Sequence, residues 1–149
     1  MLFEGFQNFD FEIIFRLLLG IGLGALIGFE RELKHRPAGL RTHMLVSLGA
    51  TIFTVSSLSF DIEPGRIAAG IVAGIGFLGA GTIIAHKGHV KGITSAATLW
   101  VVAGMGLAIG IGEYYVALIS ALAVFLILRF EKIERQIEPS KNSSDDGIT

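Results

Sequence analysis

The sequence has no cysteine, so neither a disulfide framework nor a thiolate metal or redox site is available to it. It is also poor in charge. Charged residues fill 17% of its 149 positions, where a soluble domain carries about 25%. Neither sign is in excess: the net charge is −1, which removes the basic footprint of a nucleic-acid binder. Its 20 glycines follow no G-X-Y period, which excludes collagen. What is present is apolar. Hydrophobic residues make up 52% and the mean hydropathy is +0.67, far above the range of disordered chains.

The apolar residues lie in blocks. A bilayer core requires about 20 mostly apolar residues as helix. Five blocks approach this: Phe11–Phe29, Thr42–Phe60, Ile67–Ala85, Ser95–Gly112 and the shorter Tyr114–Leu128. The last reaches spanning length if Arg129 snorkels and Phe130 is counted. The middle three contain no Asp, Glu, Lys or Arg. They also lack the polar face of a soluble surface helix. The predicted class is therefore all-α, a polytopic membrane bundle of about five helices spanning residues 1–130. Residues 131–149 are predicted to form a short cytosolic helix extension, Glu131 to Glu138, and a disordered tail from Ser140. Met1–Asp10 has no Lys or Arg, so the positive region of a cleaved signal peptide is missing.

Lys and Arg set the orientation. Arg31, Lys34, Arg36 and Arg41 follow the first span. Lys87 and Lys91 follow the third, and Arg129, Lys132, Arg135 and Lys141 follow the fifth. With five spans all ten fall on one side, leaving Arg66 opposite and Arg16 within a span. The positive-inside rule then puts the N-terminus outside and the C-terminus in the cytoplasm. The outer side carries Glu4, Asp10, Glu12, Asp61, Glu63 and Glu113 without metal-ligand spacing, so no metal site is expected.

Glycine is the specific signal. GxxxG occurs at Gly20/Gly24, Gly24/Gly28, Gly70/Gly74 and Gly106/Gly110. This spacing lets helix backbones approach closely. Gly20, Gly24, Gly28, Gly70, Gly74, Gly76, Gly79, Gly81, Gly106 and Gly110 are the predicted packing positions. The first, third and fourth spans are expected to form a central cluster, so that Gly74→Leu or Gly79→Leu would block assembly. Gly74–Gly79 also matches G-x-G-x-x-G. A dinucleotide site requires a preceding strand and an acidic residue about 20 positions on. No Asp or Glu occurs between Pro64 and Gly112, so no cofactor is expected.

Polar groups gather at the edges. Glu30 and Arg31 close the first span, and Arg41, Thr42 and His43 open the second. Arg36-Pro37-Ala38-Gly39 reads as the turn between them. A Glu30–Arg41 or Arg31–carboxylate pair is an interfacial salt bridge on one reading, and a partner or anion contact on the other. Glu12 and Arg16 stand at i, i+4, the spacing of a helical ion pair near the outer edge. Thr94, Ser95 and Thr98 form a hydroxyl cluster that either bonds its own helix carbonyls or lines a polar pocket. His43, His86 and His89 read as solvated interfacial histidines. No Ser/His/Asp, Cys or paired-carboxylate set is present, so an enzyme is not expected.

Three blocks carry a family resemblance. Gly28-Phe29-Glu30-Arg31-Glu32 with Ala38-Gly39-Leu40-Arg41-Thr42-His43 and on to Ala50, then Gly74 to Ile83, then Val90 to Trp100, resemble in order the signatures of MgtC/SapB membrane proteins. The resemblance implies a bacterial inner-membrane protein linked to magnesium limitation, to survival in host phagocytes and, in some members, to restraint of the F-type ATP synthase. Virulence-type members tend to have Asn in place of Thr94 and an ACT-like domain after the last span. The resemblance is therefore to the shorter, SapB-like members. Two functions remain. One is a regulator that binds another membrane complex, with ATP synthase one such partner by resemblance, alone or as a homo-oligomer in the lipid bilayer. The other is a small transporter or channel for Mg²⁺ or another ion. Mg²⁺ prefers carboxylates and retained waters, and the spans offer only Glu12, which favours the regulator.

Overall fold

The computed structural model describes residues 11–58, 64–86 and 89–137. It is all-helical apart from one short ribbon. The elements are α1 (Phe11–Leu33), α2 (Leu40–Ser57), α3 (Pro64–Gly81), β1 (Ile84–His86), β2 (His89–Lys91), α4 (Ile93–Ile111) and α5 (Tyr114–Ile137). Among the described residues two helices are long and apolar enough to cross a membrane, α1 and α4. Met1–Asp10, Asp61, Glu63 and Ser140–Thr149 lie outside the described residues.

Helix α2 is the hub. It lies between α1 and α4, and its buried residues are His43, Ser47, Ala50, Thr51, Thr54 and Ser57. These recur every three or four positions, so they form one stripe of the helix. The stripe is polar, and an unpartnered buried hydroxyl is costly. Thr51, Thr54 and Ser57 find acceptors, while Ser47 Oγ has none among the described residues. Thr51 Oγ1 donates to the Ser47 carbonyl at 2.9 Å and Thr54 Oγ1 to that of Ala50 at 2.8 Å, each one turn back. Thr51 Oγ1 also lies 3.1 Å from the Gly106 carbonyl of α4, an interhelical hydrogen bond.

The glycines explain how the neighbours approach. A Cβ on Gly20 would stand 2.8 Å from Thr51 Oγ1, one on Gly24 2.6 Å from the His43 carbonyl oxygen, and one on Gly28 2.8 Å from Leu40 Cα. On α4, side chains at Gly106 and Gly110 would collide with the Ser47 carbonyl and with Thr54. The bundle axis is thus closed by backbone lying on α2.

This corrects the expected cluster of first, third and fourth spans. Within one chain α2 takes the place assigned to α3. Added Cβ atoms at Gly70, Gly74, Gly76 and Gly81 would meet nothing within 4 Å, and one at Gly79 would make ordinary contact with Ala96 at 3.5 Å. Helix α3 leans on α4, through Ile75 beside Leu99 and Ala103. The second apolar cluster joins Ile27 of α1 to Val102, Met105 and Ile109 of α4 and to Ala117, Ala121, Val124 and Leu128 of α5.

The third apolar block also ends early as a helix. Thr82 N–H and Ile83 N–H close on the carbonyls of Gly79 and Ala80, a tightened last turn. The β-branched run Thr82-Ile83-Ile84 favours extended chain. Strands β1 and β2 then pair antiparallel, with Ile84 opposite Lys91 and His86 opposite His89. Gly92, at φ +96°, turns the ribbon into α4, and a side chain there would strike the Thr82 carbonyl. Gly112, at φ +94°, ends α4. Its N–H bonds the Ile109 carbonyl and that of Glu113 the Ala108 carbonyl, the Schellman pattern.

Candidate functional site

The C-terminus of α1, the start of α2 and the start of α4 converge on a buried polar cluster. Arg31 is 1% exposed, and its Nη2 donates to Ser95 Oγ at 3.0 Å. Among the described residues its Nε and Nη1 are buried without a hydrogen-bond partner, as is Glu30 Oε2. Glu30 Oε1 meets Lys34 Nζ in a charge contact. Lys34 also donates to the Leu128 carbonyl of α5 at 2.9 Å. A cation here faces the negative end of the α1 dipole, which favours it.

His43 completes the cluster. It is fully buried. Its Nδ1 lies 2.9 Å from the Gly39 carbonyl, so Nδ1 carries a hydrogen. Its Nε2 lies 3.2 Å from Thr98 Oγ1, which itself lies 2.8 Å from the Ser95 carbonyl. In the neutral ring Nε2 accepts, and the single Thr98 hydroxyl hydrogen is shared between two acceptors. The hydroxyl donates to only one of them at a time, since the Ser95 carbonyl and the neutral Nε2 both accept. The arrangement thus combines a desolvated guanidinium with a buried imidazole–hydroxyl contact. It is equipped to hold helices in register and to offer donors to an anionic group.

The sequence-nominated residues divide. Glu30, Arg31, His43, Ser95 and Thr98 come together. Arg41 and Thr94 are exposed, and Thr42 is half-buried beside a groove between α2 and α3. Glu30 pairs with Lys34 rather than Arg41, and Arg31 bonds a hydroxyl rather than a carboxylate. The reason is rotation along the helices: Ser95 and Thr98 face inward one turn apart, whereas Thr94 points away. His43 is not solvated, because it begins the inward stripe of α2. The side chains of His86 and His89 lie outside the described ones. Sequence reasoning overlooked Lys34, Ser47 and Thr51. The i, i+4 run His43, Ser47, Thr51 was the available signal.

A second polar knot sits at the opposite end. Arg16 pairs with Glu12, donates to the Gly110 carbonyl, and places Nε 3.2 Å from Tyr114 Oη. Tyr114 Oη in turn donates to Glu12 at 3.2 Å. The ion pair therefore ties α1 to the α4–α5 turn. Beside it, Phe15 meets Tyr114 edge to face, with centroids 5.4 Å apart.

The sequence profile of the MgtC family matches residues 17–136. The chain belongs to the MgtC family. It is 49% identical over 115 residues to Protein MgtC of Salmonella typhimurium strain LT2, covering 76% of this chain and 50% of that protein. It is 50% identical over 112 residues to Protein MgtC of Brucella abortus, covering 72% and 47%. It is 39% identical over 127 residues to the Escherichia coli K12 protein named "Putative magnesium transporter YhiD", covering 78% and 59%. The chain thus spans about half the length of the curated relatives it matches. No solved structure matches it. In this MgtC-family chain, the first and third signature blocks build the buried cluster, through Arg31 with Ser95 and His43 with Thr98. The second block lies on the last turns of α3 and just beyond, with Gly79 against Ala96 of α4.

Proposed function

We propose that this chain is a multi-pass protein of the bacterial inner membrane, with five spans, an external N-terminus and a cytoplasmic C-terminus. In this reading it regulates another membrane complex during magnesium limitation or stress, and does not carry the ion itself. The relatives' family and names support the magnesium link. The contacts Arg31–Ser95 and Lys34–Leu128 support the orientation, because they gather the basic ends of α1, α4 and α5 on one side. Large exposed apolar side chains, including Leu18, Phe29, Phe77, Leu122 and Ile127, support a lipid or protein environment around the bundle.

The observation that carries the regulatory reading is the closure of the bundle axis. Backbone at Gly20, Gly24, Gly28, Gly106 and Gly110 lies directly on α2. The hydroxyls of Thr51, Thr54 and Ser57 bond carbonyls rather than lining a lumen. Exposed Arg41 and the basic loop beside it then offer the contact surface for a partner. By family resemblance the F-type ATP synthase is one such complex. Crosslinking in native membranes should capture one discrete membrane complex, and Arg41→Glu should lower the yield severalfold. Capture of copies of this chain alone would reject the reading. A second reading, ion transport, is favoured by the name of the Escherichia coli relative and requires a route between copies.

A further inference from the structure

A groove between α2 and α3 is a feature that the buried cluster leaves unexplained. It has a volume of about 640 Å³ and is lined by apolar side chains and by Gly49, Gly70 and Gly74. Its floor is Ala50, Ile75 and Ala103, all buried. Among the described residues its one charged lining residue is Arg66, at the end opposite the basic loop. Arg66 is exposed, and it is the sole Lys or Arg that the five-span reading places on the outer side outside a span.

Three features specify an occupant. First, the lining runs along α3 from Arg66 to Leu78, about 18 Å at 1.5 Å per residue. This is close to one leaflet of a hydrocarbon core about 30 Å thick. Second, the lining is apolar apart from Thr42 and Arg66, as burial of an acyl chain requires. Third, the cation stands at the mouth, where the headgroup of a lipid in that leaflet lies, and a guanidinium is suited to phosphate oxygens. We propose that the α2–α3 groove binds one acyl chain of an anionic phospholipid, with the lipid phosphate on Arg66. Gly49, Gly70 and Gly74 keep the walls smooth for the chain. Of the four glycines in the second signature block, Gly74 is the one that this occupant accounts for. The inference rests on the membrane reading given above.

The test uses the full chain in vesicles, with Trp100→Phe to silence the native indole. Phe53→Trp places a reporter in the groove lining, and Phe77→Trp places a control on the exposed side of α3. Quenching is compared between phosphatidylglycerol and phosphatidylcholine carrying brominated chains in an unbrominated background. At the groove reporter the anionic lipid should be preferred about fivefold, the factor that roughly one Arg at an anionic surface supplies. Arg66→Gln should reduce the preference to about one, and Gly70→Leu should reduce quenching by both lipids there. The control should be quenched equally by both. Equal quenching at the groove reporter overturns the Arg66 site. Quenching at the control alone, with a Gly70→Cys disulfide dimer, gives the groove to a second copy and overturns the proposal. No quenching at either position would sink the membrane reading, and the proposal with it.

Discussion

At the residue scale, Arg31 and Ser95 show how a charge is accommodated inside a bundle. Arg31 is nearly fully buried, and its one side-chain partner is the Ser95 hydroxyl. Ser95→Ala removes that acceptor and leaves a third guanidinium nitrogen unpaired. The expected loss is about 1–3 kcal/mol, read as a lower thermal midpoint of the detergent-solubilised protein. Thr94→Ala, one position away and exposed, should leave the midpoint unchanged within about 0.5 kcal/mol. Equal effects of the two substitutions would show that the hydroxyl has no part in holding Arg31. The cluster was half legible in the sequence. Glu30, Arg31, His43, Ser95 and Thr98 were nominated together, whereas Ser47 and Thr51, one and two turns on from His43, were not. Which stripe faces inward depends on which neighbour arrives, and no local pattern carries that.

At the element scale, small residues decide which helices touch. GxxxG pairs on α1, α3 and α4 look alike in sequence, yet only those of α1 and α4 meet backbone of α2 within the chain. The partner that distinguishes them is α2, which has a single glycine, Gly49, and offers instead a stripe of hydroxyls and exposed carbonyls. A search for reciprocal glycine pairs therefore passes over the hub. The difference is measurable. Gly24→Ala forces a methyl against the His43 carbonyl, and overpacking of this kind costs about 1–3 kcal/mol. Gly74→Ala meets open space and should leave assembly intact. Size-exclusion chromatography and thermal melts of both variants check this. A normal Gly24→Ala protein beside a misassembled Gly74→Ala protein would mean that α3, not α2, is the inner helix. The element boundaries followed the sequence more closely. The α4–α5 turn falls at Gly112-Glu113, where the only charge between Lys91 and Arg129 had placed it. The β1–β2 ribbon was missed because Ile84 and Ala85 continue an apolar run, and hydropathy alone does not separate strand from helix there.

At the scale of the whole molecule, the bundle has two tied ends and a closed middle. Arg31, His43 and Lys34 knit α1, α2, α4 and α5 at one end, and Glu12, Arg16 and Tyr114 knit α1 to the α4–α5 turn at the other. If the basic end is cytoplasmic, a cysteine introduced at Glu63 should be labelled by an impermeant maleimide in intact cells, and one at His35 should not. The reverse pattern would invert the topology and move the proposed contact surface outside. The closed middle is the central claim, because it separates a regulator from a conduit. Its most direct test is Mg²⁺ flux into vesicles containing the purified full chain. The account predicts uptake no faster than in protein-free vesicles. Saturable uptake that scales with protein content would contradict it.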